Sequence, residues 1–160
     1  MGRGRGREDL RPFFALLGPE GCARLEAAAI DMNGAYAEEL RAHCPHVAIV
    51  YDLFHVIAKY GREVVDRVRL DETLRLADRV RLRELLAANR ALFTVYVRKD
   101  DLKQLWRYHY PAAARRFWAQ WRARALASRL APLRAFVQRL TPCLEGIMNH
   151  CRYQIGRAHV

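Results

Sequence analysis

The sequence predicts a small α/β unit followed by a longer all-helical block, so that the chain is predominantly helical overall. Three observations lead to this fold class. Two short apolar runs, Ala27–Ile30 and Val47–Tyr51, show little alternation of polar and apolar residues, as is typical of strands buried on both faces. Residues 33–43 between them have a helical pattern. From Ile57 onward the periodic segments repeat with helical spacing only.

The first 25 residues predict two short helical pieces. Apolar residues spaced at i, i+3, i+4 and i+7 give residues 8–17 one apolar helix face. Gly18-Pro19 ends this pattern, because glycine and proline rarely continue a helix, and a second helical turn is predicted over residues 20–25. The strand–helix–strand unit that follows is short enough to be a βαβ unit, whose two strands run parallel.

The remainder of the chain predicts helices alone. Pro111 and Pro132 stand where the first turn of a helix tolerates proline, because that turn has no use for the missing N–H group. The predicted helices cover residues 57–68, 80–96, 100–108, 111–128 and 132–140.

Composition favours a single cytoplasmic domain that binds a polyanion. The chain has 160 residues, of which 52% are hydrophobic and 28% are charged, which excludes a disordered chain. No apolar stretch reaches the about 18 residues that a membrane helix needs, and no secretory signal follows the basic start. The net charge of +11 favours partners such as nucleic acids, whose phosphates the basic residues neutralise.

The four cysteines have no C-x-x-C spacing, so a structural zinc site is disfavoured and reduced thiols are expected. The local cluster His43-Cys44-Pro45-His46 is the exception for which a zinc site is worth testing.

Basic charge concentrates in the second half of the chain. Residues 112–140 contain seven arginines and no acidic residue. On a helical wheel, Arg115, Arg122 and Arg129 share a narrow strip, whereas the aromatic residues between them cluster on another face. We therefore predict that the aromatics are core. The arginine face either contacts DNA or is only solvated, and the sequence leaves both open.

Two aspartates follow the two predicted strands directly. Asp31 and Asp52 thus end parallel strands at the carboxyl edge, where open α/β sheets bind ligands and where two carboxylates can share one hard cation. The alternative is that each aspartate caps the helix that follows it. His55, three residues after Asp52, either orients Asp52 or a phosphate or is an ordinary structural residue.

At these residues the chain resembles the ISL-three family of insertion-sequence transposases. The combination Asp-Met, Tyr, Pro and Asp-x-Phe-His is specific, and the resemblance extends from residue 4 to about residue 153. The matching segments are Ala29-Ile-Asp-Met-Asn33, Ala35-Tyr36, Cys44-Pro45-His46, Ile49-Val-Tyr-Asp-Leu-Phe-His-Val-Ile57, residues 58–69, Leu102-Lys-Gln-Leu-Trp106 and Gly146-Ile-Met-Asn-His150.

The resemblance implies a DDE-type transposase with a ribonuclease-H-like core that cleaves and transfers DNA strands with Mg²⁺. Asp31 matches the second catalytic aspartate and is the implied metal ligand, whereas Asp52 and His55 match a supporting motif. The implied first aspartate lies upstream of this chain and the final glutamate beyond Tyr153, so the fragment alone is expected to be inactive. Arginines of the helical block are implied to grip DNA: Arg115, Arg116, Arg122 and Arg129.

The resemblance also divides the chain. Residues 1–56 are expected to form part of the catalytic core, residues 57–153 a helical insertion, and residues 154–160 translated sequencing-adaptor DNA rather than protein fold. The expected setting is the bacterial cytoplasm, with DNA as partner, no membrane, and a homo-oligomer of the full-length protein left open. The rival hypothesis is a non-catalytic, basic helical module that binds nucleic acid.

Overall fold

The computed structural model describes residues 7–32, 34–77 and 82–155. A short parallel sheet with flanking helices precedes a helical block, so the predicted fold class is confirmed. The strands are β1 (Ala27–Ile30) and β2 (Ala48–Tyr51). The helices are α1 (Arg11–Arg24), α2 (Gly34–His43), α3 (Leu53–Tyr60), α4 (Asp66–Ala77), α5 (Leu82–Lys103), α6 (Pro111–Ala127), α7 (Ala131–Leu140), α8 (Leu144–Met148) and α9 (His150–Tyr153).

The two strands pair in parallel, as predicted. The register runs from Ala27 opposite Ala48 to Ile30 opposite Tyr51. β2 is buried along most of its length, but β1 is only partly buried, against the expectation of burial on both faces. The difference arises because helices of this chain cover β2, whereas the outer edge of β1 has no neighbouring strand within the described residues.

Helix α1 contains the break that the sequence predicts. Gly18 has φ 65° and ψ 175°, a backbone conformation that glycine adopts without the steric penalty that a Cβ atom brings. Pro19 follows it within the same segment. The two short helical pieces therefore meet at this kink rather than forming one straight helix.

The helical block departs from the prediction at two places. Helix α3 begins at Leu53, directly after Asp52, as the helix-cap alternative requires, but a π-helical stretch, Gly61–Val65, interrupts the helix predicted over 57–68 before α4 begins. The prediction of two separate helices over 80–96 and 100–108 was wrong. One helix, α5, runs unbroken from Leu82 to Lys103, and a 3-10 turn follows it. No glycine or proline lies between the two predicted segments, so nothing in the backbone stops the helix there. Residues 80 and 81 lie outside the described residues.

Helix α6 places its aromatic residues in the core, as predicted. Trp118, Trp121 and Ala125 are buried and Phe117 packs against the same cluster. The indole Nε1 of Trp121 donates to the carbonyl oxygen of Arg98 in α5 at 2.9 Å. This bond ties α6 to α5 and fixes which face of α6 points away from the core.

The last helices return to the sheet, which the sequence did not predict. Gly146 of α8 lies directly over Tyr51 of β2, so close that a Cβ atom would come within 2.5 Å of the ring. Asn149 donates from Nδ2 to the carbonyl oxygen of Ile49 at 2.7 Å. Because Ile49 alternates with residues that bond to β1, this contact covers the outer edge of β2.

Replacement of Gly146 by alanine is expected to destabilise the chain by about 1–2 kcal/mol. Overpacking against a buried ring costs about 1–3 kcal/mol, and the higher helix propensity of alanine offsets at most about 1 kcal/mol of it. Denaturant unfolding followed by circular dichroism measures the change. Gly61→Ala is the matched control, because a Cβ atom there meets nothing within 4 Å. An equally destabilised Gly61→Ala would contradict the role of the Tyr51 contact.

Candidate active site and nucleic-acid surface

The parallel register brings Asp31 and Asp52 to the same end of the sheet. Each directly follows the last registered pair, Ile30 and Tyr51, and both side chains are half-buried. The backbone N–H of Asp52 still donates to the carbonyl oxygen of Ile30, at 3.5 Å, so the two strands remain neighbours at this point. Adjacent parallel strands lie about 4.8 Å apart. Asp31 and Asp52 therefore follow neighbouring strands at the same carboxyl edge.

Asp52 caps helix α3. Its Oδ1 accepts the backbone N–H of Phe54 at 2.6 Å, and its own backbone is extended, with φ −70° and ψ 137°. This is the helix-cap alternative that the sequence left open, and for Asp52 it is confirmed. The cap engages Oδ1 and fixes the orientation of the carboxylate relative to the start of α3.

His55 lies on the exposed side of α3, beside the same edge. Its ring meets the ring of Phe54 edge to face, with centroids 5.4 Å apart and planes at 82°. His55 is therefore three residues from Asp52 along the chain, and its ring contacts Phe54.

Asp31 and Asp52 place two carboxylates at one edge of the sheet. Carboxylate oxygens are the donors that Mg²⁺ prefers, so Asp31 and Asp52 fit that ion in chemical type. Within residues 7–32, 34–77 and 82–155, however, no three histidine, cysteine, aspartate or glutamate side chains come together closely enough to hold a metal ion. This edge can thus contribute ligands but does not form a full protein ligand set from the described residues.

The cluster at residues 43–46 is used for packing. His43 stacks on Phe14 with centroids 4.5 Å apart, and its Nε2 lies 3.2 Å from Oε1 of Glu39. Burial and, to a smaller extent, the neighbouring thiol of Cys22 together raise the pKa of the Cys44 thiol to about 11. A thiol that resists deprotonation is a poor metal ligand. All four cysteines are free thiols.

The arginines predicted to contact DNA are all exposed, but they are not equivalent. Arg116, Arg122 and Arg129 are exposed, and Arg129 has a left-handed backbone with φ 60° just beyond the end of α6. Arg115 instead makes a two-pronged ion pair with Glu145 of α8, at 2.9 and 2.8 Å. That pairing raises the pKa of Arg115 and lowers the pKa of Glu145, mainly through the shared hydrogen bonds.

A second arginine of the same segment is also paired at long range. Arg139 of α7 bonds to Glu63 at 2.8 Å, and Lys59 of α3 approaches the same carboxylate at 3.5 Å. Residues 112–140 contain no acidic residue, so we expected all seven of their arginines to be without an acidic partner. That expectation was wrong for Arg115 and Arg139. The sequence could not reveal it, because their acidic partners lie 30 and 76 residues away along the chain.

Aromatic residues near this surface divide into buried and exposed ones. Trp106 is buried and stacks on His150, with centroids 5.7 Å apart. Tyr110, directly before α6, is 77% exposed.

Among the described helices none is long and apolar enough to cross a membrane.

Comparisons with known proteins cover the whole chain. A family model described as transposase, of the ISL-three type, matches residues 1–79 and 70–160. The transposase for insertion sequence element IS1001 of Bordetella parapertussis is 45% identical over 186 aligned positions, which cover 100% of this chain. The chain spans about half of that relative, namely 46% of its length. No solved structure matches.

The comparison also reveals a difference in length. The alignment runs over 186 positions whereas the chain has 160 residues, so 26 positions of the relative have no counterpart here. The two stretches matched by the family model overlap at residues 70–79, a range that includes the end of α4 at Ala77. We therefore expect the 26 additional positions of the relative to lie between the segments that match α4 and α5.

Proposed function

The chain belongs to the ISL-three family of transposases, and from this membership we propose that it is part of a DDE-type enzyme that cleaves and transfers DNA strands with Mg²⁺. The observation that carries the proposal is the parallel register, which sets Asp31 beside Asp52 at the carboxyl edge of the sheet. The test is metal-dependent cleavage by the full-length protein with Asp31 intact and with Asp31 replaced.

In this proposal Asp31 binds the metal ion and Asp52 orders the edge. Asp31 follows its strand directly, whereas Oδ1 of Asp52 accepts the N–H of Phe54 and holds the start of α3 in place. His55 stands one turn from Asp52 and can donate a hydrogen bond to a phosphate oxygen. Bound Mg²⁺ supplies charge stabilisation at the phosphate and activation of the attacking oxygen.

The remaining acidic ligands belong, in this proposal, to parts of the protein outside these 160 residues. With Asp31 as the proposed carboxylate ligand from this chain, too little negative charge is present to hold and orient the metal ions, so the chain alone is proposed to be inactive. Residues 1–56 are proposed to belong to the catalytic core and residues 57–153 to a helical insertion. The packing of Gly146 and Asn149 on β2 supports an insertion that returns to the core at its end.

The helical block is proposed to bind DNA through its exposed arginines. Arg116 and Arg122 of α6 and Arg129 just beyond its end are exposed, whereas Trp118 and Trp121 of the same helix are buried. Contacts with backbone phosphates position a protein on DNA without reading the sequence. The exposed arginines also support the rival hypothesis of a non-catalytic binding module, and the loss of cleavage in Asp31→Asn separates the two.

DNA binding by the 160-residue chain is expected to weaken steeply with salt, because each phosphate contact releases condensed counterions. The double variant Arg122→Gln, Arg129→Gln should make the slope of log Kobs against log salt shallower by about 1.8, or about 0.9 for each lost contact. Arg115→Gln should change the slope by less than the about 0.9 expected for one lost phosphate contact. The reason is that Glu145 already binds the guanidinium of Arg115. Fluorescence anisotropy with an arbitrary duplex at several salt concentrations measures these slopes.

The control removes the same charge elsewhere. Arg24 in α1 and Arg90 in α5 are exposed and lie outside the arginine-rich segment. The double variant Arg24→Gln, Arg90→Gln should leave the slope near that of the wild type. Equal slopes for both double variants would place the DNA-binding surface elsewhere than on α6.

A further inference from the structure

The outer face of α4 and α5 carries exposed apolar side chains. Among the described residues, three of the eight large hydrophobic side chains that are exposed lie on these two helices. Leu70 of α4 is 51% exposed, and Phe93 and Tyr96 of α5 are 71% and 39% exposed. Val68 and Val95 of the same helices are buried, so each helix has a core side and turns the three exposed residues away from it.

The three side chains belong to one surface because α4 and α5 pack side by side. Arg69 of α4 reaches across to α5, where its Nη2 donates to the hydroxyl oxygen of Tyr96 and its guanidinium carbon lies 5.8 Å from the centre of the ring. Leu70 follows Arg69 directly, and Phe93 precedes Tyr96 by about one helical turn, on the same side of α5. Exposed apolar residues that are grouped in this way mark an interaction surface.

The difference in length from the relative indicates what covers this face. The relative has 26 positions without a counterpart here, and the two family matches overlap over residues 70–79. The additional positions are therefore expected between α4, which ends at Ala77, and α5, which begins at Leu82. These are the two helices that carry the exposed apolar face.

A segment of this length is long enough to cover the face. Leu70 lies seven residues before the end of α4 and Phe93 lies 11 residues after the start of α5, which correspond to about 10 Å and about 16 Å along the helix axes. Two antiparallel helical arms of about 12 residues each extend about 18 Å back from the connection. A segment of 26 residues therefore spans the distance from the connection to both side chains.

We propose that the outer face of α4 and α5 is the docking surface for the additional segment of the relative, and that this shorter chain leaves the surface open. The occupant is a segment with one apolar side, since burial of Leu70, Phe93 and Tyr96 removes apolar area from water. The inference is independent of the proposed function, because it concerns only the packing of the helical block.

The test inserts the 26 additional residues of the relative into the 160-residue chain, between Arg79 and Val80. The matched control carries 26 glycine and serine residues at the same point, which lengthen the chain equally and bring no apolar side chain. Relative to that control, the inserted segment should raise the midpoint denaturant concentration and lower the fluorescence of the apolar dye ANS. Phe93→Ser should remove most of both effects, whereas Phe13→Ser, at an exposed site on α1, should leave them unchanged.

Three results would overturn the inference. The first is an equal midpoint and equal dye fluorescence for the two inserted chains. The second is a gain in stability that survives Phe93→Ser, because the segment would then dock elsewhere. The third is a chain that folds with the glycine-serine insert but not with the segment of the relative, since a segment that fits the face does not prevent folding. Far-UV circular dichroism of both inserted chains measures whether they fold.

Discussion

Truncation of Trp121 to alanine is expected to destabilise the chain by about 3–5 kcal/mol, the cost of removing a large aromatic side chain from a packed core. Trp121 is 2% exposed, stacks on Trp118 with centroids 5.3 Å apart and donates its indole N–H to Arg98. Small domains have a total stability of about 5–15 kcal/mol. Trp121→Ala is therefore expected to remove a large share of the free energy of unfolding. Chemical denaturation should show a strongly lowered midpoint denaturant concentration.

A graded control separates volume from the hydrogen bond. Trp121→Phe keeps most of the ring in the core and loses the bond to Arg98, so it should cost clearly less than Trp121→Ala. Phe93→Ala, a truncation at a site that is 71% exposed, should stay near the wild type. Similar losses in Trp121→Phe and Trp121→Ala would assign the stabilisation to the hydrogen bond rather than to packing.

This prediction also bears on DNA binding. Trp121 lies on the buried face of α6, and Arg122 follows it on the exposed face. If α6 loosens from α5, the arginines lose their fixed arrangement but keep their charge. Binding of Trp121→Ala to DNA should therefore retain part of its affinity at low salt, where charge alone suffices.

The sequence predicted the elements whose causes are local. The two strands, the break at Gly18, the start of α6 at Pro111 and the burial of Trp118 and Trp121 each follow from apolar spacing or from one residue with a special backbone. Asp52 as a helix cap was one of two local alternatives, and the bond to Phe54 confirms it.

The features that the sequence missed depend on contacts far apart along the chain. Glu145 reaches Arg115 only because α8 folds back against α6, and Glu63 reaches Arg139 because the π-helical stretch Gly61–Val65 packs against α7. Gly146 could be recognised as a close contact only after β2 was placed beneath it. Such pairs carry no periodic signal, so neither apolar spacing nor local charge could reveal them.

The partly buried state of β1 has the same origin. Its sequence, Ala-Ala-Ala-Ile, reads as a strand buried on both faces, yet within the described residues its outer edge has no partner strand. Parallel sheets are stable when both faces and the inner edges are covered. This pattern supports the proposal that residues 1–56 are part of a larger catalytic core, and the chain spans 46% of its relative's length.

Replacement of Asp31 by asparagine in the full-length protein is expected to abolish metal-dependent DNA cleavage, with a loss of more than about a hundredfold, because a ligand to a catalytic ion contributes several kcal/mol to stabilising the transition state. The substitution keeps the volume of the side chain and removes its charge. The fold should therefore persist, and the thermal melt should stay near that of the wild type. A cleavage assay on DNA carrying the element's ends, titrated with Mg²⁺, measures the effect.

Asp52→Asn is the matched substitution at the neighbouring strand end. Asparagine caps helices about as well as aspartate, since its side-chain oxygen can accept the same N–H of Phe54. Loss of a helix cap costs about 1 kcal/mol, and the free energy of unfolding of Asp52→Asn should change by much less than that. The cleavage rate should fall only in part. If Asp52→Asn is as inactive as Asp31→Asn and equally well folded, Asp52 is a direct metal ligand and the proposed division of roles is wrong. If Asp31→Asn still cleaves at the wild-type rate, the metal-binding role of Asp31 is excluded.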